Sequence, residues 1–485
     1  MEGNEFVILD SVTPRIPGVE FKAPLSFSIN KGEAWAFYGE NGSGKSLIAQ
    51  IIKGQYGIKS GEITYAFMEE ERRKAGGFAY PSQFIRIVGF EAAYTMSSFR
   101  DAYYQQRFSS METDWYPKVR ELLPDTEEGC RTAEMLNLVP LMDSSLITLS
   151  SGQLRRLLIA KAMLEHPRML IFDNPFIGLD VKSRKMLNSV FKILMEDGVQ
   201  LIFLTPTLRD IPPVTTNVLY LDKLECRYAG LKKGFDSINV KEEAPVQSEF
   251  DLSRSGYDSG SKDFDVAVKM EHLDIDYADV VYQHDLNWTI RKGEKWALLG
   301  PNGSGKSTLL SYIFADNPQA YSKPLMLFDR KRGTGESIWD IKRHIGFTSS
   351  EMHLYYLENV PCHSVVESGF FDSVGLYRRP SEEQKAFAMS LMAHLGIDGI
   401  AEKGFLKVSS GEQRLVLFAR AVVKNPDLLI LDEPFHGIDF KHKMMCLKLI
   451  DTYLKQKDKS IIFVTHYREE IPKAVEQVFE LSING

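Results

Sequence analysis

The run Gly300-Pro301-Asn302-Gly303-Ser304-Gly305-Lys306-Ser307-Thr308 has the spacing G-x-x-x-x-G-K-[ST], in which each residue type has a chemical use. Glycines let the backbone close around a polyphosphate, so that successive N–H groups point at anionic oxygens. Lys306 would reach the β- and γ-phosphates, and the Ser307 hydroxyl would ligate Mg²⁺. The same pattern stands earlier as Gly39-Glu40-Asn41-Gly42-Ser43-Gly44-Lys45-Ser46, so the chain carries two such loops.

A second constellation completes the chemistry. The apolar run Leu428-Leu429-Ile430-Leu431 ends in Asp432-Glu433-Pro434. A carboxylate at a strand end suits a Mg²⁺ site facing a phosphate loop, which makes Asp432 the metal partner and Glu433 the group that orients or deprotonates water. His466 follows a further apolar run and is placed to contact the γ-phosphate. In the first half the corresponding run ends in Asp173, a metal partner beside Ser46, but the next residue is Asn174. Upstream of each Asp lies a Ser-Ser-Gly box, Leu149-Ser150-Ser151-Gly152-Gln153 and Val408-Ser409-Ser410-Gly411-Glu412. Such a box caps a helix, and the helix N-terminus it creates could bind phosphate from its own domain or a neighbour.

These residues need rigid supports. Trp35 to Tyr38, Met169 to Phe172 and Leu201 to Leu204, and likewise Trp296 to Leu299, Leu428 to Leu431 and Ile461 to Val464, are short continuous apolar runs alternating with helical stretches. That alternation predicts an α/β fold with parallel strands buried on both faces. Each half opens with strand-like alternation, Leu25-Ser26-Phe27-Ser28-Ile29 and Leu286-Asn287-Trp288-Thr289-Ile290, and residues 95–145 and 355–405 read as mostly helical. A nearly fixed offset pairs Lys45 with Lys306, Gly152 with Gly411, Asp173 with Asp432, Asp180 with Asp439 and Thr205 with Thr465. The chain is a duplication. It divides into a first domain over 1–231, a polar, flexible linker over 232–264 and a second domain over 265–485.

Composition excludes several classes. With 44% hydrophobic and 25% charged residues over 485 positions, the chain has the make-up of an ordinary globular protein. A formal net charge of -7 provides no general basic field for nucleic acid. The cysteines Cys130, Cys226, Cys362 and Cys446 lie far apart without C-x-x-C spacing, which argues against zinc knuckles and disulfide frameworks and for a reducing cytosol. The N-terminus is unlike a secretory signal, and no apolar stretch approaches the roughly 18 residues that cross a bilayer. Any service to a membrane would run through another chain.

The order of phosphate loop, Ser-Ser-Gly box, Asp-tipped strand with Pro after it, Gly-x-Asp turn (Gly178-Leu179-Asp180; Gly437-Ile438-Asp439) and His466 resembles the ATP-binding-cassette ATPases in both halves. The resemblance implies P-loop domains with an antiparallel β part and a helical subdomain, which bind ATP and Mg²⁺ and pair head to tail. Each ATP would then lie between one domain's phosphate loop and the other's box, with Tyr277 stacking on adenine. The run from Tyr321 to Gly346 is similar to the tandem ModF type, associated by family with molybdate uptake.

Departures from the pattern fall mostly on the first half. Asn174 stands for Glu, Pro206 stands for His466, and no aromatic lies near Arg15-Ile16-Pro17 to match Tyr277. A site built from Lys45, Ser46 and Asp173 facing Ser409-Ser410-Gly411 is expected to bind nucleotide and turn it over poorly. One built from Lys306, Ser307, Asp432, Glu433 and His466 facing Ser150-Ser151-Gly152-Gln153 keeps its full set. The glutamine that the family places at the metal is absent from both halves, where Phe90-Glu91-Ala92 and Thr348-Ser349-Ser350-Glu351 stand. Two readings of function follow. One is a cytosolic ATPase, peripheral at the inner membrane face, serving a molybdate-type importer through a separate permease. The alternative is a switch acting on the ribosome or another cytosolic machine. Excinuclease-type repair ATPases carry zinc-binding cysteine pairs, which this chain lacks. Pairing of the two domains within one chain is the simpler expectation across a linker of this length.

Overall fold

The computed structural model describes residues 4–89, 116–149, 151–238, 249–257, 263–277, 280–314, 316–349 and 358–482, with positions 240, 242, 245, 352 and 356 between them. The main division falls between Glu243 and Ala244, giving two compact units.

In the first unit, β1 (Glu5–Pro14), β2 (Leu25–Asn30) and β4 (Ile58–Tyr65) form an antiparallel sheet in the order β2-β1-β4. β3 (Ala34–Tyr38), β5 (Ile85–Val88), β6 (Met169–Asp173), β7 (Gln200–Thr205), β8 (Asn217–Asp222) and β9 (Glu225–Leu231) form the other, ordered β5-β6-β7-β3-β8-β9. All its pairs are parallel except β8 with β9. β3 and β7 are buried along their whole length, which is why they read as unbroken apolar runs.

The second unit repeats the plan. β10 (Val266–Tyr277), β11 (Val280–Arg291), β13 (Leu325–Leu327) and β14 (Arg330–Lys331) make the antiparallel sheet β11-β10-β13-β14. β12 (Lys295–Leu299), β15 (Ile345–Ser349), β16 (Leu428–Asp432), β17 (Ser460–Val464) and β18 (Gln477–Glu480) make an all-parallel sheet, β15-β16-β17-β12-β18. The helices Cys362–Glu367, Glu382–His394 and Ser410–Val422 share a core that includes Leu391, Met392, Phe405, Leu415 and Phe418. Ser381 caps the middle helix, its Oγ accepting from the Gln384 N–H at 3.2 Å while Gln384 Oε1 accepts from the Ser381 N–H at 3.0 Å.

Two expectations need correction. Each half begins one strand earlier than the alternation at Leu25 and Leu286 suggested, with β1 and β10, whose bulged registers interrupt the period of two. The segment 232–264 is not a free tether throughout. Lys232–Ile238 is a helix that buries Phe235 among Tyr38, Tyr220 and Tyr228, and in the second unit Phe250 packs on Phe387 and His394 while Leu252 is buried. Ser150, the side chains of Ser151 and Tyr277, residues 90–115 and residues 350–351 lie outside the described parts.

Candidate active site

The second unit gathers its chemistry at one edge. β16, β17 and β12 are adjacent and parallel, with Asp432 level with Val464 and Val464 level with Leu298. Gly300 follows β12, Glu433 follows β16, and His466 follows β17 after Thr465. Three segments distant in sequence therefore meet at the carboxyl ends of neighbouring strands, where open α/β sheets bind ligands. In the first unit Asp173, Leu204 and Phe37 form the equivalent row, so Lys45, Asn174 and Pro206 share an edge.

Both phosphate loops are built for close approach. Gly305 has φ 90°, and an added Cβ would come within 3.0 Å of the Tyr282 Cβ and 3.2 Å of Ile275. At Gly300 a Cβ would press on the Leu481 carbonyl at 2.7 Å and the Ser304 hydroxyl at 2.8 Å. Lys306 folds over its loop, Nζ donating to the carbonyls of Gly300 and Pro301 at 2.8 Å each, and Lys45 does the same to Gly39 and Glu40 at 2.7 Å each. The loop helices begin at these lysines, leaving Ser46 and Ser307 exposed at the mouths. Asn41, Gly42 and Gly44 fill the first loop; Asn302, Gly303 and Thr308 belong to the second.

The donor set suits Mg²⁺. Asp432 and Ser307 supply hard oxygens, and beside Asp432 in register lies Ser349, whose buried hydroxyl has no partner among the described residues. Ser307 and Asp432 would hold the ion in the second unit, Ser46 and Asp173 in the first. A bound Mg²⁺ supplies charge neutralisation for the phosphates.

Glu433 is held tightly. His466 Nε2 lies 2.6 Å from its Oε1 and His436 Nδ1 lies 2.6 Å from its Oε2, and the side chains are 9, 6 and 7% exposed in the order Glu433, His466, His436. Burial alone would raise this carboxyl, but His436 and then His466 outweigh it and hold it well below the usual carboxylate range. Thr465 braces the His466 loop, its Oγ1 accepting from the Tyr467 N–H and donating to Glu470, both at 3.1 Å. In the first unit the Asn174 amide instead donates to Asp173 Oδ1 at 2.8 Å.

The Ser-Ser-Gly box of the second unit behaves as a cap. The Glu412 carboxylate accepts from the Ser409 N–H at 2.8 Å and hydroxyl at 2.7 Å, ahead of the helix that starts at Ser410 and Gly411. In the first unit Gly152 and Gln153 lie in the opening turn of the helix Ser151–Met163. Asp180 and Asp439 cap the helices after the Gly-x-Asp turns, accepting from Ser183 at 2.7 Å and His442 at 2.9 Å.

His436 and the aromatic packed on each loop escaped the sequence reading. An added Cβ at Gly44 would come within 3.3 Å of Phe21, as one at Gly305 would meet Tyr282. Counting the repeat offset from Tyr282 leads to Phe21. Comparing the turns residue by residue singles out His436, which corresponds to Ile177 in the repeat.

Two phosphate loops, each at the carboxyl edge of a parallel sheet beside an Asp-tipped strand, define tandem P-loop nucleotide-binding domains. A family model described as ABC transporter matches residues 23–177 and 283–436, more than half of the chain. The chain belongs to the ABC transporter family and is a tandem-domain ABC ATPase of ModF type. It is 30% identical to the ABC transporter ATP-binding protein ModF of Escherichia coli strain K12, over 99% of this chain and 96% of that protein. An uncharacterized ABC transporter ATP-binding protein of Schizosaccharomyces pombe is 32% identical over 93% of this chain and 92% of its own length. Among solved structures, archaeal ABCE1, bound with Pelota to the ribosome, superposes with a TM-score of 0.58 at 19% identity, covering 98% of this chain and 76% of that one. The archaeal ribosome recycling factor aABCE1, in complex with the stalk protein aP1, gives 0.53 at 18%, covering 97% and 87%. At such identities the likeness is one of fold. Among the described residues no helix is long and apolar enough to cross a membrane.

Proposed function

We propose that both domains bind ATP with Mg²⁺ and that hydrolysis runs at the second domain's motifs, energising a molybdate-type transport system through a separate permease. The observation that carries the catalytic part is Glu433, a buried carboxylate at the sheet edge with one histidine on each oxygen. Lys306 neutralises the β- and γ-phosphates, Ser307 and Asp432 hold the metal, Glu433 takes the proton of the attacking water, and His466 steadies the γ-phosphate. Asn174 cannot accept that proton, and a general base typically contributes about 10²–10⁴-fold, so the first site holds nucleotide without comparable turnover. The full-length similarity to ModF supports the transport assignment.

The test is co-purification with Glu433→Gln, which binds ATP, stalls hydrolysis and so accumulates the ATP-bound form. Recovery of a membrane permease supports the transport assignment. Recovery of ribosomes instead would replace it with an ATP-gated switch.

A further inference from the structure

We propose that His436 is a positioning residue for hydrolysis, keeping the Glu433 carboxylate aimed at the attacking water while His466 is engaged with the γ-phosphate. The inference rests on the reading of Glu433 as the base, and it concerns a residue outside the phosphate loop, the Asp-tipped strand and the Ser-Ser-Gly box.

His466 has two demands on one imidazole. Its Nε2 makes a close ion-pair contact with Glu433 Oε1, and on the reading above the ring also meets the γ-phosphate, a contact that would draw it away. A carboxylate with one oxygen released can rotate about its last bond unless the other oxygen is fixed. His436 Nδ1 fixes it, 2.6 Å from Oε2.

His436 is itself held. Its backbone N–H closes a turn onto the Glu433 carbonyl at 3.3 Å, and its ring packs edge-on against Tyr467 at 6.2 Å and 70°. Tyr467 is tied through its N–H to Thr465, so the brace on Glu433 is anchored to the loop that carries His466.

The first domain supplies an internal control. Its turn has the same backbone, with the Ile177 N–H on the Asn174 carbonyl at 3.3 Å. Pro175, Phe176, Gly178 and Asp180 match Pro434, Phe435, Gly437 and Asp439, while Glu433, His436 and His466 are replaced together by Asn174, Ile177 and Pro206. Isoleucine donates no hydrogen bond, and a turn without a base needs none. The two histidines and the carboxylate behave as one unit, lost where one member is lost.

The experiment compares His436→Ile, His436→Asn and Glu433→Gln in the full chain, by steady-state ATP hydrolysis and by equilibrium binding of a fluorescent ATP analogue with Mg²⁺. His436→Ile, the residue the first domain accommodates, is expected to lower kcat about 10–100-fold. Nucleotide affinity stays within about twofold, the signature of an interaction used in the transition state. His436→Asn, which returns a donor near the Nδ1 position, recovers most of the rate. Imidazole ¹⁵N NMR of the chain without nucleotide shows the His436 Nδ1 hydrogen bond, and Glu433→Ala abolishes it. An unchanged kcat in His436→Ile with Glu433→Gln inactive overturns this inference alone, as does a His436→Asn chain no faster than His436→Ile. A Glu433→Gln chain that still turns over overturns the base assignment and this inference with it.

Discussion

Asn174 and Glu433 occupy the same backbone position. Both are left-handed, with φ 49° and 50°, and each donates its N–H at 2.9 Å to the next strand's carbonyl, Leu204 for one and Val464 for the other. Asparagine is among the residues that tolerate this region best, whereas glutamate is strained there by order 1–3 kcal/mol, and such strain concentrates at functional sites. The two positions differ in chemistry and not in placement.

Restoring the acid alone is therefore expected to fail. In a Glu433→Gln background, Asn174→Glu leaves ATP hydrolysis at its residual level, because Ile177 and Pro206 offer the new carboxylate no donors. Adding Ile177→His and Pro206→His raises the rate by at least about tenfold, within the range a positioned base supplies. Single-turnover ATP hydrolysis reads the difference.

Gly305→Ala is expected to cost about 1–3 kcal/mol in denaturant unfolding, since alanine at φ 90° is strained and its methyl meets Tyr282 and Ile275. Nucleotide binding by the second domain falls with it, measured by the fluorescent analogue in a Lys45→Ala background that silences the first loop.

Phe235 tests whether the helix after β9 belongs to the first unit. Phe235→Ala removes a ring in contact with Tyr38, Tyr220 and Tyr228 and is expected to destabilise that unit by about 3 kcal/mol. Limited proteolysis should then cut near 232–238 much faster than in the parent chain.

Acid stability should depend on Asp427. Burial alone would raise its carboxyl, but His344 Nδ1 at 2.8 Å and Lys459 Nζ at 3.2 Å outweigh burial and hold it below its ordinary value. A carboxyl lowered in the folded chain stabilises folding above the ordinary carboxylate range, and the gain is lost as pH falls from that range through the lowered folded value. Asp427→Asn is expected to lower Tm at neutral pH and to flatten its decline between about pH 5 and 3.

The phosphate loops, the Asp-tipped strands and the duplication were legible because each is a local pattern: fixed spacing, an unbroken apolar run, a repeated order. β1 and β10 were not, since bulges break their alternation, and β9 and β18 lack an apolar run long enough to stand out. The helix Lys232–Ile238 hid because a single buried ring, Phe235, gives no periodic signal among lysines and serines. His436 hid for a different reason. A histidine three residues after an acid means nothing until a left-handed turn folds it back onto that acid.

The strand order β15-β16-β17-β12-β18 also governs how the second domain is made. β12, which carries the phosphate loop, is synthesised before β15 and β16, yet its neighbours in the sheet are β17 and β18. During translation it has no strand on either side until the helical subdomain and nearly the whole domain have followed. Such non-local pairing is slow, and an unpaired apolar strand invites association with other chains. A nascent chain stopped before β17 therefore exposes both edges of the strand that carries its phosphate loop, and the loop is framed only once β17 and β18 have followed.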